Sequence, residues 1–325
     1  MQINKRISLI FMNTILKWRT FLESLRRVDI KNICVGIGVF DGVHIGHAEL
    51  LQSLADYAKQ NNSYPLAITF SPHPRALTVP EHAPKLLVPL NQRIELLKKN
   101  GAEDVFVIDF NRDFANLEAE EFLRVFCLDN AVKIDCICVG KNWRFGKNGA
   151  GDTVLLEKFC QANNIDCRLI EELKIDSEKI SSANIRIAVA NGFLDKVRNM
   201  LGRPYFIHGT VVKGFSFAGD KLGHPTANLK PDSEILPPDG VYAAKAVIDD
   251  AEYLAAVNIG VAPSFDFNCR NHRIEVHLLD FDGNLYGREL DIMLLKYLRN
   301  ERFFESAEAL KEQIIKDIQQ IKSLK

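Results

Sequence analysis

Two histidines three residues apart, His44 and His47, close a glycine-punctuated stretch that reads Gly36-Ile37-Gly38-Val39-Phe40-Asp41-Gly42-Val43-His44-Ile45-Gly46-His47. Phosphate chemistry suits these types at this spacing. Glycines let a ligand approach the backbone, and the unpaired N–H groups that open a helix face an anion. Imidazoles at i and i+3 share one face of a first helical turn, from which both can donate hydrogen bonds to phosphoryl oxygens. In a plain strand–turn–helix the same histidines would be polar surface.

The elements that must position them are legible from periodicity. Ile33 to Val39 is an apolar strand-like run, and a helical pattern follows through Ala48, Leu50, Leu51, Leu54 and Ala58. Further strand-like runs fall at 65–70, 104–109, 134–139 and 166–170, with helical periodicity at 46–60, 90–100, 117–128 and 153–163. This alternation predicts a parallel sheet covered by helices on both faces, with ligands at the carboxyl ends of the strands. Beyond about residue 200 short β-type runs replace it, at 205–213, 241–249, 252–259, 272–281 and 289–294. Turn signals such as Pro237-Pro238-Asp239-Gly240 separate them, which predicts a small antiparallel barrel. A closing amphipathic helix carries Leu310, Ile314, Ile315, Ile318 and Ile321 on one face. The expected organisation is an α/β domain over 1–200 and a β domain over 201–325.

Composition bounds the function. The chain has 325 residues, 47 % hydrophobic and 26 % charged, as in globular proteins that bury a sizeable core. A net charge of −1 gives no electrostatic case for nucleic acid or a membrane surface. The seven cysteines are scattered without a Cys-x-x-Cys pair, and Cys136 and Cys138 alternate in an apolar strand, which favours packing over metal and a reducing, cytoplasmic setting. The N-terminal segment carries Trp18, Phe21, Leu22 and Leu25 at helical spacing, as a packing helix or a weak amphipathic membrane helix would, with residues 1–12 as a loose extension. It holds no spanning segment.

Three further motifs follow strands of the first half. Ser71-Pro72-His73-Pro74-Arg75 predicts a stiff, extended loop. Gly140-Lys141-Asn142-Trp143-Arg144-Phe145-Gly146 interleaves aromatic and basic residues, which suits stacking on a flat ring and contact with phosphate. Ile180-Ser181-Ser182-Ala183-Asn184-Ile185-Arg186 places a Ser before a helical pattern, an N-cap signal.

The string Gly-x-Phe-Asp-Gly-x-His-x-Gly-His resembles the nucleotidylyltransferase superfamily and, more narrowly, the adenylyltransferase half of bifunctional riboflavin kinase/FAD synthetases. The other three motifs resemble that family's Thr-Phe-x-Pro-His-Pro-Arg, Val-Gly-x-Asn/Asp-Phe-x-Phe-Gly and Ile-Ser-Ser-Thr-x-x-Arg. The second half resembles riboflavin kinase from Gly202-Arg203-Pro204-Tyr205 through Leu222-Gly223-His224-Pro225-Thr226-Ala227-Asn228, Asn258-Ile259-Gly260 and Glu275-Val276-His277 to Leu298-Arg299-Asn300-Glu301-Arg302-Phe303. The resemblance implies a Rossmann-like nucleotidylyltransferase domain followed by a β-barrel kinase domain. It implies riboflavin, FMN and ATP as substrates and Mg²⁺ as cofactor, with no nucleic-acid or membrane partner.

The resemblance also implies roles. His44, His47, Asn142 and Arg186 would act on the ATP phosphates in adenylylation, and Glu275 would be the general base toward the ribityl hydroxyl. Gly38, Phe40, Asp41, Gly46 and Ser182 would bind ATP in the first half, and Gly219, Lys221, Thr226 and Asn228 in the second. Thr226 and Asn228 would hold Mg²⁺; His73, Pro74, Arg299 and Glu301 would contact flavin. Two departures stand out. Ala183 replaces the usual Thr, removing a hydrogen bond worth about 1.5–3 kcal/mol when made to a charged group. Asp220 stands where Arg is common, beside Lys221. These departures leave two alternatives: a flavin- or nucleotide-binding regulator with lost activity, or a nucleotidylyltransferase for another substrate.

Overall fold

The computed structural model describes residues 9–128, 131–212, 227–249, 251–261 and 272–324. The chain divides into two compact units, one of residues 1–84 with 90–180 and one of 85–89 with 181–325. The expected boundary near 201 therefore falls inside the second unit, which also takes a short segment of the first half.

The first unit is a five-stranded parallel sheet in the order β3-β2-β1-β4-β5, with β1 at Asn32–Ile37, β2 at Tyr64–Ser71, β3 at Asp104–Asp109, β4 at Lys133–Gly140 and β5 at Asp166–Ile170. Side chains of successive strand residues point to opposite faces, so each central strand feeds two cores. Ile33, Val35 and Ile37 of β1 join one cluster, and Cys34 joins the other. Likewise Ile137 and Val139 of β4 pack on one face while Cys136 and Cys138, both fully buried, pack on the other with their sulfurs 3.8 Å apart. The cysteines are packing residues, as their alternation predicts.

Helix α1, Leu9–Arg27, belongs to this core. Trp18 is fully buried and meets Phe106 edge-on at 4.9 Å, with Leu22 and Leu25 beside it. It is a packing helix. Residues 1–8 of the expected extension lie outside the described residues. Helix α2, Ile45–Asn61, follows the glycine turn, and α3, Pro74–Thr78, follows β2. Then come α4 at Leu90–Lys99, α5 at Arg112–Ala115, α6 at Ala119–Cys127 and α7 at Thr153–Ala162. A two-stranded hairpin, β6 at Lys174–Ile175 with β7 at Glu178–Lys179, ends the unit.

The second unit starts with α8, Ser182–Ala190, and α9, Leu194–Leu201, and then forms a closed six-stranded antiparallel barrel. Its strands are β8 at Phe206–Val212, β9 at Ala227–Pro231, β10 at Gly240–Ile248, β11 at Ala251–Val261, β12 at His272–Leu278 and β13 at Glu289–Arg299, in the closed order β10-β11-β12-β9-β8-β13. Strand β9 lacks an apolar run and was not among the expected strands; it forms because β8 and β12 both bond to it. Segment 85–89 is held here through Leu87, whose carbonyl accepts from the Tyr205 hydroxyl at 3.3 Å.

Helix α10, Ala307–Lys322, closes the barrel unit. Ile321 is fully buried and Ile318 packs with it, but Ile315 is 42 % exposed, so the apolar stripe is narrower than expected. Asp317, 5 % exposed, takes a place on the inner face.

Candidate active sites

In the first unit the site is built on strained backbone. After β1 the N–H of Gly38 donates to Ile68 O at 3.1 Å, keeping the chain beside β2. Phe40, Gly42 and Val43 then take positive φ angles of 54°, 79° and 40°. For Phe40 and β-branched Val43 this region is unfavourable by about 1–3 kcal/mol each, so surrounding structure must hold them. Burial does so: Phe40 and Val43 are each 1 % exposed and Asp41 is 2 %.

His44 caps α2. Its backbone is extended, and its Nδ1 accepts the backbone N–H of His47 at 3.3 Å. With Nδ1 an acceptor, the proton of the neutral ring sits on Nε2, which becomes the donor. The two rings stack with centroids 3.6 Å apart and planes within 15°, and Phe40 meets His47 edge-on at 5.2 Å. A Cβ at Gly46 would stand 3.3 Å from Cε1 and Nδ1 of His44, so a larger residue would press the ring.

His73 repeats the device. Its Nδ1 accepts the N–H of Arg75 at 3.1 Å, and Pro74 takes the first turn of α3. The loop expected to be extended throughout therefore turns helical at Pro74, because a proline already has helical φ at that position and the cap satisfies a free N–H.

Asn142 is exposed after β4 and hydrogen-bonds Glu172. The Lys179 ammonium first, and Asn142 second, hold the Glu172 carboxyl below its ordinary range. Trp143 and Phe145 do not stand ready for a flat ligand as expected. They stack on each other at 4.5 Å, and Phe145 is buried against Phe122. The N-cap of α8 is Ser181, whose Oγ accepts the Asn184 N–H at 3.2 Å, so Ser182 is the first helical residue. Arg186 on the same helix donates from Nε to Lys85 O at 2.7 Å. Ser182 and Arg186 thus belong to the second compact unit, and His44, His47 and Asn142 to the first.

Arg93 was not foreseen. It lies on α4, is 1 % exposed, and donates from Nη1 to Val39 O at 2.8 Å and Phe70 O at 3.3 Å. Burial pulls the guanidinium below its usual pKa, and Asp41 is the charge that opposes this. The sequence signal was its place in the apolar stripe Leu90, Arg93, Ile94, Leu97, where a charge is out of pattern.

In the barrel unit the register assembles the site. Glu275 of β12 pairs with Asn228 of β9 on one side and Asn258 of β11 on the other. Paired residues share a face of the sheet. Ile274, Val276, Val257, Ile259 and Leu229 point inward and are buried, so the row Asn228–Glu275–Asn258 lies on the outer wall. Asn258 Nδ2 donates to Glu301 Oε1 at 2.8 Å. Gly260 allows this approach, since a Cβ there would stand 2.3 Å from that oxygen. Arg299 commits its fork to Asp317 of α10, with Nε at 3.0 Å and Nη2 at 2.9 Å from Oδ2. Gly219, Asp220, Lys221 and Thr226 lie outside the described residues. Among the described residues no group of three His, Cys, Asp or Glu is arranged to hold a metal. The amide oxygen of Asn228 is a hard donor of the kind taken by a Mg²⁺ that keeps waters and substrate phosphates as its other ligands, and in that sense the described residue fits.

Residues 27–184 match the family model of FAD synthetase, and residues 201–325 match that of riboflavin kinase. A protein of Buchnera aphidicola subsp. Schizaphis graminum, named bifunctional riboflavin kinase/FMN adenylyltransferase, is 36 % identical over 93 % of this chain and 96 % of its own. Proteins of the same name from Bacillus subtilis and Escherichia coli are 34 % and 32 % identical over 88 % and 91 % of this chain, and over 90 % and 94 % of their own. A crystal structure described as a macrolide-efflux protein from Streptococcus pneumoniae matches with a TM-score of 0.79 at 27 % identity, over 90 % of this chain and 94 % of its own. Two adjoining family matches in one chain, with relatives similar over nearly the full length of both partners, mean that this chain belongs to the family of bifunctional riboflavin kinase/FMN adenylyltransferases.

Proposed function

We propose that each compact unit carries one of the family's two reactions and that the residues assembled above divide the work. The protein converts riboflavin and ATP to FMN and ADP, and FMN and ATP to FAD and pyrophosphate. The alternatives, a catalytically silent regulator or a transferase for another substrate, are not favoured by a chain that matches both families in order.

In the kinase reaction Glu275 takes the proton of the ribityl 5′-hydroxyl as its oxygen attacks the γ-phosphorus, and the bond to ADP breaks. Asn228, with Thr226, would hold Mg²⁺, which would supply positive charge against the phosphates. Lys221 and Gly219, outside the described residues, would bind the nucleotide as the resemblance implies. Glu301, oriented by Asn258, contacts the flavin, and Arg299 fixes the segment that carries Glu301 through its grip on Asp317.

In the adenylyl transfer a phosphate oxygen of FMN attacks the α-phosphorus of ATP and pyrophosphate leaves, with no protein nucleophile. The Nε2–H of His44 and the His47 ring donate to the phosphates, with Asn142 as a further polar contact. Gly38, Phe40, Asp41 and Gly46 shape the nucleotide turn, and His73 and Pro74 the flavin side. No helix among the described residues is long and apolar enough to cross a membrane. The six described cysteines are free, which supports work in a reducing cytoplasm.

The observation that carries this reading is that each unit has its own constellation, His44 with His47 in one and Asn228 with Glu275 in the other. Incubating purified protein with riboflavin, ATP and Mg²⁺ and separating products by chromatography tests it. FMN and FAD are both expected. Flavin bound without turnover would return the protein to the regulator reading.

A further inference from the structure

We propose that Arg93 is a positioning residue for adenylyl transfer, tying the turn that carries the histidines to the strand that leads into the His73 loop. The two relevant carbonyls belong to different substrate sides. Val39 immediately precedes the strained turn at Phe40, and Phe70 is one residue from the end of β2. Arg93 Nη1 spans both, at 2.8 Å and 3.3 Å, with Thr69 Oγ1 at 3.4 Å. Thr69 is fully buried and itself donates to Val39 O at 2.9 Å, so the three groups form one closed network. Both carbonyls lie at the carboxyl ends of adjacent parallel strands, where an α/β sheet collects its ligands.

Stability alone does not account for this residue. A guanidinium 1 % exposed, bonded to carbonyls and a hydroxyl rather than to a carboxylate, bears a desolvation cost that an apolar side chain of similar length would avoid. Its Nε has no hydrogen-bond partner among the described residues. What the charge contributes is direction. One nitrogen, Nη1, at the end of a stiff planar group holds two backbone segments at a fixed separation, which a flexible lysine ammonium reproduces only in part. Asp41, 2 % exposed in the strained turn, is the charge that favours the cationic guanidinium. Arg93 reaches neither substrate; it sets the distance between the groups that do.

Arg93→Met and Arg93→Lys in the full chain test the idea, with Leu97→Ala as a control that loosens the same helix at a fully buried apolar position. A misalignment of reacting groups on the ångström scale lowers turnover by about 100-fold, so Arg93→Met is expected to cut kcat for FAD formation by that order while the KM values for ATP and FMN change little. Arg93→Lys is expected to recover part of kcat. Riboflavin phosphorylation by the same samples is expected to be unchanged. Leu97→Ala is expected to lower the melting temperature with kcat per folded molecule preserved. The proposal is overturned if Arg93→Met keeps its kcat, if Leu97→Ala reproduces the kcat loss at equal stability, or if Lys restores nothing.

Discussion

Arg299 at the end of β13 and Asp317 in the middle of α10 share a fork-like contact, Nε and Nη2 both on Oδ2, with the carboxylate side chain only 7 % exposed. The terminal helix is thereby fastened to the barrel by a charge pair. Gln313 adds a third donor to the same carboxylate at 2.7 Å. Removing the acid leaves a guanidinium with nothing to neutralise it, a change worth about 3 kcal/mol for a buried pair. Asp317→Ala is therefore expected to lower the temperature at which kinase activity is lost. Both tryptophans, Trp18 and Trp143, lie in the first unit, so their fluorescence transition is expected not to move. A common shift of both signals would contradict a local fastening.

Glu275→Gln separates the two reactions. The amide keeps the shape of the row on the outer barrel wall but cannot take a proton. FMN formation is expected to fall by about 10²–10⁴, the usual contribution of a positioned base. FAD formation from supplied FMN is expected to continue at the parent rate. Both rates are read from one chromatographic run, and equal losses would refute separate sites.

His44 has two duties that different substitutions split. Asparagine can cap a helix as well as histidine does, so His44→Asn is expected to keep stability within about 1 kcal/mol of the parent. It lacks the Nε2 donor, and FAD formation is expected to drop about 100- to 1,000-fold, as for the loss of one donor to a developing charge. His44→Ala is expected to lose both. An active His44→Asn enzyme would leave the ring with a capping role alone.

Gly260→Ala probes the flavin side of the kinase. The added methyl would meet Glu301, and the carboxylate would swing away from Asn258. The KM for riboflavin is expected to rise roughly tenfold, about 1.4 kcal/mol of binding, with the KM for ATP unchanged. Initial-rate kinetics with each substrate varied separately decide it.

The sheet was legible because β1, β2 and β4 are apolar runs closed by glycine or proline, and β3 and β5 fall where periodicity puts them. The barrel was legible from its turns, except β9, whose Ala-Asn-Leu-Lys-Pro carries no strand pattern and is made a strand by its neighbours. Local rules also missed the positive φ at Val43, since a β-branched residue argues against it and only burial enforces it. Ser181 is the cap because the helix starts at Ser182, one residue after the first hydroxyl. Trp143 and Phe145 looked like a ligand platform in sequence, and the packing of α6 under the loop turns them inward.

The short piece around Leu87 bears on any attempt to produce the kinase by itself. A gene cut at codon 201, where the family match begins, discards the backbone that receives the Tyr205 hydroxyl and the amide of Leu86 that Glu234 receives. The severed product keeps every strand of its barrel yet has an opened seam, with Tyr205 left to Ile235 alone. Grafting residues 85–89 back, as a leader or an added peptide, is the way to close it.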